Sequence, residues 1–128
     1  MDLPDAYDST VFLLEGKPLM LPSAFAIITA WNPMDRKLPA EDNERGDEAL
    51  RRLLELQKVP YFRATGCSPD LSHREPGWAA TMAKPDAIEL GRHFDQRGIW
   101  WIEGGDLILV SCANGQEKRV GVFQLRVR

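Results

Sequence analysis

Ala24-Phe25-Ala26-Ile27-Ile28-Thr29-Ala30-Trp31-Asn32-Pro33 is the stretch on which the fold turns. Apart from Thr29 it is apolar as far as Trp31, and Pro22 and Pro33 bound it. An uninterrupted apolar run of this length reads as a strand buried on both faces, hence a central strand with something packed on each side. Asn32-Pro33 ends it, because the residue before proline is pushed toward extended geometry and proline cannot donate to the ladder.

Downstream, residues 39–57 read as a helix. Pro39 suits a first helical position, Glu41 and Asp42 complement the positive end of the dipole, and Leu38, Leu50, Leu53 and Leu54 form the apolar stripe. Gly46 within it costs about 1 kcal/mol against alanine, and Pro60 forbids continuation. Tyr61 to Thr65 and Gly77 to Met82 read as strands around a loop of turn formers. A second helix opens near Pro85-Asp86, with Ala87, Leu90, Gly91 and Phe94 at i, i+3, i+4 and i+7. Gly91 lies on its inward side, where a missing Cβ lets a helix approach a sheet. Ile99 to Ile102, Leu107 to Ser111 and Val120 to Val127 read as three more strands, joined by turns at Gly104-Gly105 and Asn114-Gly115. Upstream, Val11 to Leu14 is a candidate short strand, and residues 1–9 read as a loose arm.

The expected order is therefore β-α-β-β-α-β with two strands appended. This is an α+β, ferredoxin-like βαββαβ core with an appended C-terminal antiparallel hairpin or meander. Residues 1–128 form a single domain in this reading: 1–22 an N-terminal arm, 23–103 the core, 104–128 the appended strands. The 128 residues are 44% hydrophobic and 27% charged, ordinary globular values that leave room for one core. The net charge of −3 speaks against nucleic acid as a partner, which calls for a basic face. Lys118, Arg119, Arg126 and Arg128 read as charges keeping an edge strand soluble. The acidic N-terminus does not read as a secretory signal, and Ala24 to Trp31 is too short to cross a bilayer. Cys67 and Cys112 are far apart with no CxxC, so both read as reduced thiols and the expected compartment is the cytoplasm.

Tracing the chain through that order brings Trp31, Asn32, Asn43, Cys67, Glu75, Trp78, Arg92 and Gln96 to one end of the domain. Asn43 lies seven residues before Leu50, so it shares the face of the core leucines and needs partners or costs about 1–3 kcal/mol in desolvation. Asn32 and Gln96 are the candidate partners. One reading is a polar plug in which three amides and Glu75 satisfy backbone groups at strand ends. The other is a small concave pocket walled by Trp31 and Trp78, with Asn32, Asn43, Glu75, Arg92 and Gln96 as its polar contacts.

The segment Phe25 to Pro33, Asn43, Glu75-Pro76-Gly77-Trp78, and Ala87-x-x-Leu90-Gly91-Arg92-x-Phe94-x-Gln96 followed by Ile99-Trp100 together resemble a bacterial family, domain of unknown function 3293. The resemblance covers roughly residues 24–103. It implies a cytoplasmic bacterial protein and supplies no activity. Two positions depart from the family pattern: Asp95 stands where glycine is usual, and Pro39 where a serine cap is common.

No phosphate-cradling glycine loop, HExxH or cysteine-pair zinc spacing is present, so no metal and no cofactor is expected. Cys67 with His73 lacks a third orienting group for nucleophilic catalysis, and His93 reads as a solvated histidine. The preferred function is a non-catalytic binding or interaction module for a small molecule or a protein partner, its acidic balance also suiting an inhibitor of a basic partner. The alternative is a small hydrolase or nuclease-like enzyme, optionally using magnesium, with Glu75 as acid/base and Arg92 as anion stabiliser.

Overall fold

A computed structural model describes Met1 and residues 3–128. Its strands are β1 (Val11–Glu15), β2 (Ala24–Thr29), β3 (Tyr61–Cys67), β4 (Arg74–Ala80), β5 (Gly98–Glu103), β6 (Asp106–Ser111) and β7 (Glu117–Val122). Helix α1 spans Ala40–Leu56 and α2 spans Lys84–His93, and short 3-10 turns cover Asp5–Ser9, Pro33–Asp35 and Phe123–Arg126. The strands form one antiparallel sheet in the order β1-β3-β4-β2-β5-β6-β7. As its apolar run demands, β2 is central: Ile28 pairs with Trp78 of β4, and Ile27 with Trp100 of β5.

The ferredoxin-like expectation is overturned. The architecture is a seven-stranded antiparallel half-barrel with two helices, not a βαββαβ core with a hairpin added. The reason lies in the second face of the sheet. Helices α1 and α2 cover one face, where Ala26, Ile28, Trp78, Ile99 and Trp101 meet Leu50, Leu54, Ala87 and Leu90. The other face carries Phe12, Phe25, Ile27, Phe62, Trp100, Leu107 and Leu109, too much apolar surface to leave in water. With no third layer available, the sheet curls on itself and buries that face inside. The supposed arm supplies β1, whose Phe12 is fully buried, paired along β3 from Val11↔Cys67 to Glu15↔Arg63.

The C-terminus completes the curl. Val120 to Val127, expected as one strand, leaves the sheet at Val122 and turns through 3-10 geometry. Phe123 drops into the inner core, and Leu125, expected on the same face, stands 71% exposed. Val127 then bridges to Phe12 of β1, and the Arg128 N–H donates to the Phe12 carbonyl over 2.9 Å. Trp100 and Trp101 are both core, on opposite faces. Gly91 does permit close packing: a Cβ there would lie 2.7 Å from Ile99 Cγ2 and 2.8 Å from Cys112 Sγ.

Both helices end in the same device. Lys58 and Asp95 adopt left-handed φ of 58° and 54°. The Val59 N–H reaches back to the Leu54 carbonyl, and the Gln96 N–H to that of Gly91, each over 2.9 Å. This is the Schellman stop, which favours glycine at the left-handed position and accepts aspartate there. The exit of α2 thus keeps its usual geometry although Asp95 replaces the glycine. At the start of α1, the Asp42 and Asn43 N–H groups donate to the Pro39 carbonyl, and no side chain caps the turn. Among the described residues, no helix is long and apolar enough to cross a membrane.

Candidate functional site

Curling the sheet leaves one end of the inner face incompletely filled. There β2, β3 and the loops after them meet the starts of β1, β4 and β5 around a cavity of about 560 Å³. Phe12, Ile27, Ala64 and Trp100 make its apolar floor, while Thr29, Asn32, Asp35, Lys37, His73, Glu75 and Gln96 surround it. The residues from Pro4 to Thr10 lie along one side, so the N-terminal segment is part of the wall.

Each rim residue has a local reason for its position. Thr29 turns its hydroxyl to the Pro76 carbonyl over 2.7 Å, and the same oxygen accepts the Trp31 N–H over 2.9 Å, tying the exit of β2 to β4. The chain then passes through left-handed geometry at Asn32 (φ 46°), Met34 (φ 53°) and Asp35 (φ 60°). Asparagine and aspartate tolerate this region; for Met34 it is strained, and strain of this kind gathers where a site over-determines the backbone. The Met34 N–H is held by the Asp95 carbonyl over 2.7 Å, so the turn after β2 and the end of α2 brace one another.

Behind the rim lies a network of amides. Asn43 accepts the Asn32 N–H over 2.8 Å and donates to Asn32 Oδ1 over 2.8 Å, and that oxygen also takes the Leu38 N–H over 3.1 Å. Gln96 donates to the Trp31 carbonyl over 3.3 Å and to the Phe94 carbonyl over 3.1 Å. Asn43 is 2% exposed and satisfied. The plug and the cavity are therefore neighbours, with Asn32 and Gln96 belonging to both.

Of the residues expected to converge, Asn32, Cys67, Glu75 and Gln96 line the cavity; Asn43 supports them from behind, and Trp31, expected as a wall, contributes only its backbone carbonyl to Gln96. Trp78 and Arg92 lie elsewhere. Trp78 is on the helix-covered face, its indole N–H directed to the Asp47 carbonyl over 3.3 Å and its ring 3.6 Å beneath the Arg63 guanidinium. Three positions separate it from Glu75, so strand alternation places the two on opposite faces. Arg92 opens onto a separate hollow and donates to the Cys112 carbonyl, with Glu89 as its ion partner.

Tyr7, Asp35, Lys37 and Trp100 carry no site reading in the sequence, and His73 carries one only as a partner of Cys67. Strand parity was the available signal for Trp100, since it pairs with Ile27 across β2 and β5. No pattern marked Tyr7, because its segment joins the wall through contacts some thirty residues distant: its hydroxyl donates to Asp35 Oδ1 over 2.8 Å, at a separation of 28. Burial, chiefly, holds the Tyr7 phenol above the usual tyrosine range, helped by that hydrogen bond and by the charges of Asp35 and Glu75, with Arg97 opposing.

The remaining chemistry is restrained. His73 Nε2 and Glu75 Oε2 lie 2.7 Å apart on the rim. Cys67 borders the cavity, but burial pushes its thiol up, with Arg74 partly offsetting, and Cys112 is raised by burial to about 11, so both are poor thiolates at neutral pH. Among the described residues, no three His, Cys, Asp or Glu side chains cluster closely enough to hold a metal ion.

Fold and site together define a curled antiparallel sheet with an internal hollow open at one end. The model of the family described as protein of unknown function (DUF3293) matches residues 28–99, more than half the chain, and the chain belongs to that family. That span holds the rim residues Asn32, Asp35, Lys37, His73, Glu75 and Gln96, but not Tyr7 or Trp100. No curated protein and no solved structure matches the chain.

Proposed function

We propose that this chain is a small-molecule binding module whose ligand sits in the open end of the half-barrel. One observation carries the reading: a cavity of about 560 Å³ has an apolar floor and a polar rim drawn from several separate segments. Small-ligand sites run from about 300 to 1,000 Å³ and share that division between an apolar body and a few convergent polar groups. The acidic balance suits a small ligand better than nucleic acid, and the free, buried Cys67 and Cys112 favour a reducing setting such as the cytoplasm. The enzyme reading is less well supported, because Glu75 and Arg92 border different hollows and Arg92 is already engaged by the Cys112 carbonyl and Glu89.

Gly66 offers a clean test. It borders the cavity, and a Cβ there would make ordinary contact, 3.5 Å from Thr10 Cγ2. Gly66→Val therefore narrows the hollow from its wall, with a Cβ that meets no backbone and a residue that favours strands. Wild-type protein should bind small aromatic compounds with a change in tryptophan fluorescence, and Gly66→Val should keep its melting temperature yet lose that binding. Undiminished binding in a folded Gly66→Val protein would place the ligand elsewhere and sink the proposal.

A further inference from the structure

The charges that face the cavity differ in how far they are already answered. Asp35 is fully engaged: Tyr7 donates to Oδ1 over 2.8 Å, and Arg97 Nε lies 3.0 Å from Oδ2. Glu75 is not. His73 meets Oε2, but among the described residues no lysine or arginine pairs with this carboxylate and its second oxygen has no hydrogen-bond donor. Lys37, on the same rim, takes part in no ion pair or side-chain hydrogen bond among the described residues. One carboxylate oxygen of Glu75 and the solvent-exposed Lys37 ammonium, neither paired among the described residues, thus border one hollow, and its floor is aromatic and aliphatic.

From this we infer that the ligand is a compact zwitterion, an amine and a carboxylate on one apolar body of the aromatic amino-acid class. The inference rests on the cavity reading above. The ammonium group sits at Glu75 as a charge-assisted donor to the free carboxylate oxygen, where the aromatic rings of Tyr7 and Trp100 also favour a cation. The carboxylate lies toward Lys37. The apolar body packs against Trp100, Phe12 and Ile27, replacing water on a surface that gains from being covered. A plain amine would leave Lys37 unanswered, and a plain acid would leave Glu75 so. A compound carrying both groups gains a charge-assisted contact at each end.

Calorimetric titration with tryptophan, tryptamine, indole-3-propionate and indole separates the contributions, because the four share one ring and differ in charge. Wild-type protein should bind tryptophan about tenfold more tightly than tryptamine or indole-3-propionate, the factor expected of one added charge-assisted contact. Glu75→Gln should erase the advantage over indole-3-propionate, and Lys37→Met the advantage over tryptamine. Both side chains reach solvent, so neither change threatens folding. Equal affinity for all four compounds, or tightest binding of a singly charged one, overturns the zwitterion while leaving the cavity as the binding site. If no compound binds the folded wild-type protein, or if Gly66→Val binds as well as wild type, the cavity reading fails and this inference fails with it.

Discussion

Tyr7 joins the N-terminal segment to the rim, and its ionisation gives that contact a pH dependence. Its phenol, held above the ordinary 10.0 mainly by burial and then by Asp35, keeps its proton in the folded chain where the unfolded chain has lost it. A group raised in this way contributes stability that is intact below the ordinary value and fades as the pH climbs through the folded one. Denaturant-measured stability should therefore fall with pH above about 10 more steeply in wild type than in Tyr7→Phe. Parallel slopes would show that the contact carries none of the alkaline response. Asn43 illustrates what is legible at this scale. Its place on an apolar stripe demanded hydrogen-bond partners, and Asn32 supplies them on both atoms of the amide. Lys37 and Asp35 carried no such signal, since a charged residue in a turn is ordinary until its neighbours are known.

At the scale of the element, β4 shows how tightly the sheet is built around the cavity. Gly77 lies between β2 and β3, and an added Cβ would come 2.7 Å from the Ile28 carbonyl oxygen and 3.2 Å from that of Ala64. Backbone cannot give way as a side-chain tip can. Gly77→Ala should cost about 1–3 kcal/mol, a clear fall in melting temperature, while Gly66→Val on the neighbouring strand should cost little. A neutral Gly77→Ala would mean that the strands separate more readily than this spacing allows. The elements themselves were largely legible, because each of β2, α1 and α2 is bounded by proline or by a left-handed stop. Strand parity separates Glu75 from Trp78 only because β4 begins at Arg74, three residues before the Gly77 start read from the sequence. The failure at Val120 to Val127 is instructive: alternation of Phe123, Leu125 and Val127 resembles a strand, yet the chain turns so that Phe123 alone enters the core.

For the whole molecule, the closing contact is Phe123. Its ring packs with Phe12 at 5.5 Å and edge-on with Phe25 at 5.7 Å, joining the C-terminus to β1 and β2 across the curled sheet. Phe123→Ala should cost about 3–5 kcal/mol and open the inner face. Chemical denaturation would read the first effect and binding of an apolar dye to the folded protein the second. A small loss without added dye binding would show that the half-barrel holds its shape without this anchor. Nothing local reveals the closure, because Phe12 and Phe123 stand at opposite ends of the chain.

The order of helices and strands, the central place of β2 and the need to satisfy Asn43 were all written in the sequence, since each follows from spacing, proline boundaries or the cost of a buried amide. Tertiary structure alone decided that the sheet would curl, that β1 and Val127 would meet, and that Tyr7 and Trp100 would border one hollow with Glu75. Curling depends on the total apolar area of a face shared by seven strands. That quantity belongs to no single segment, so no local pattern can report it.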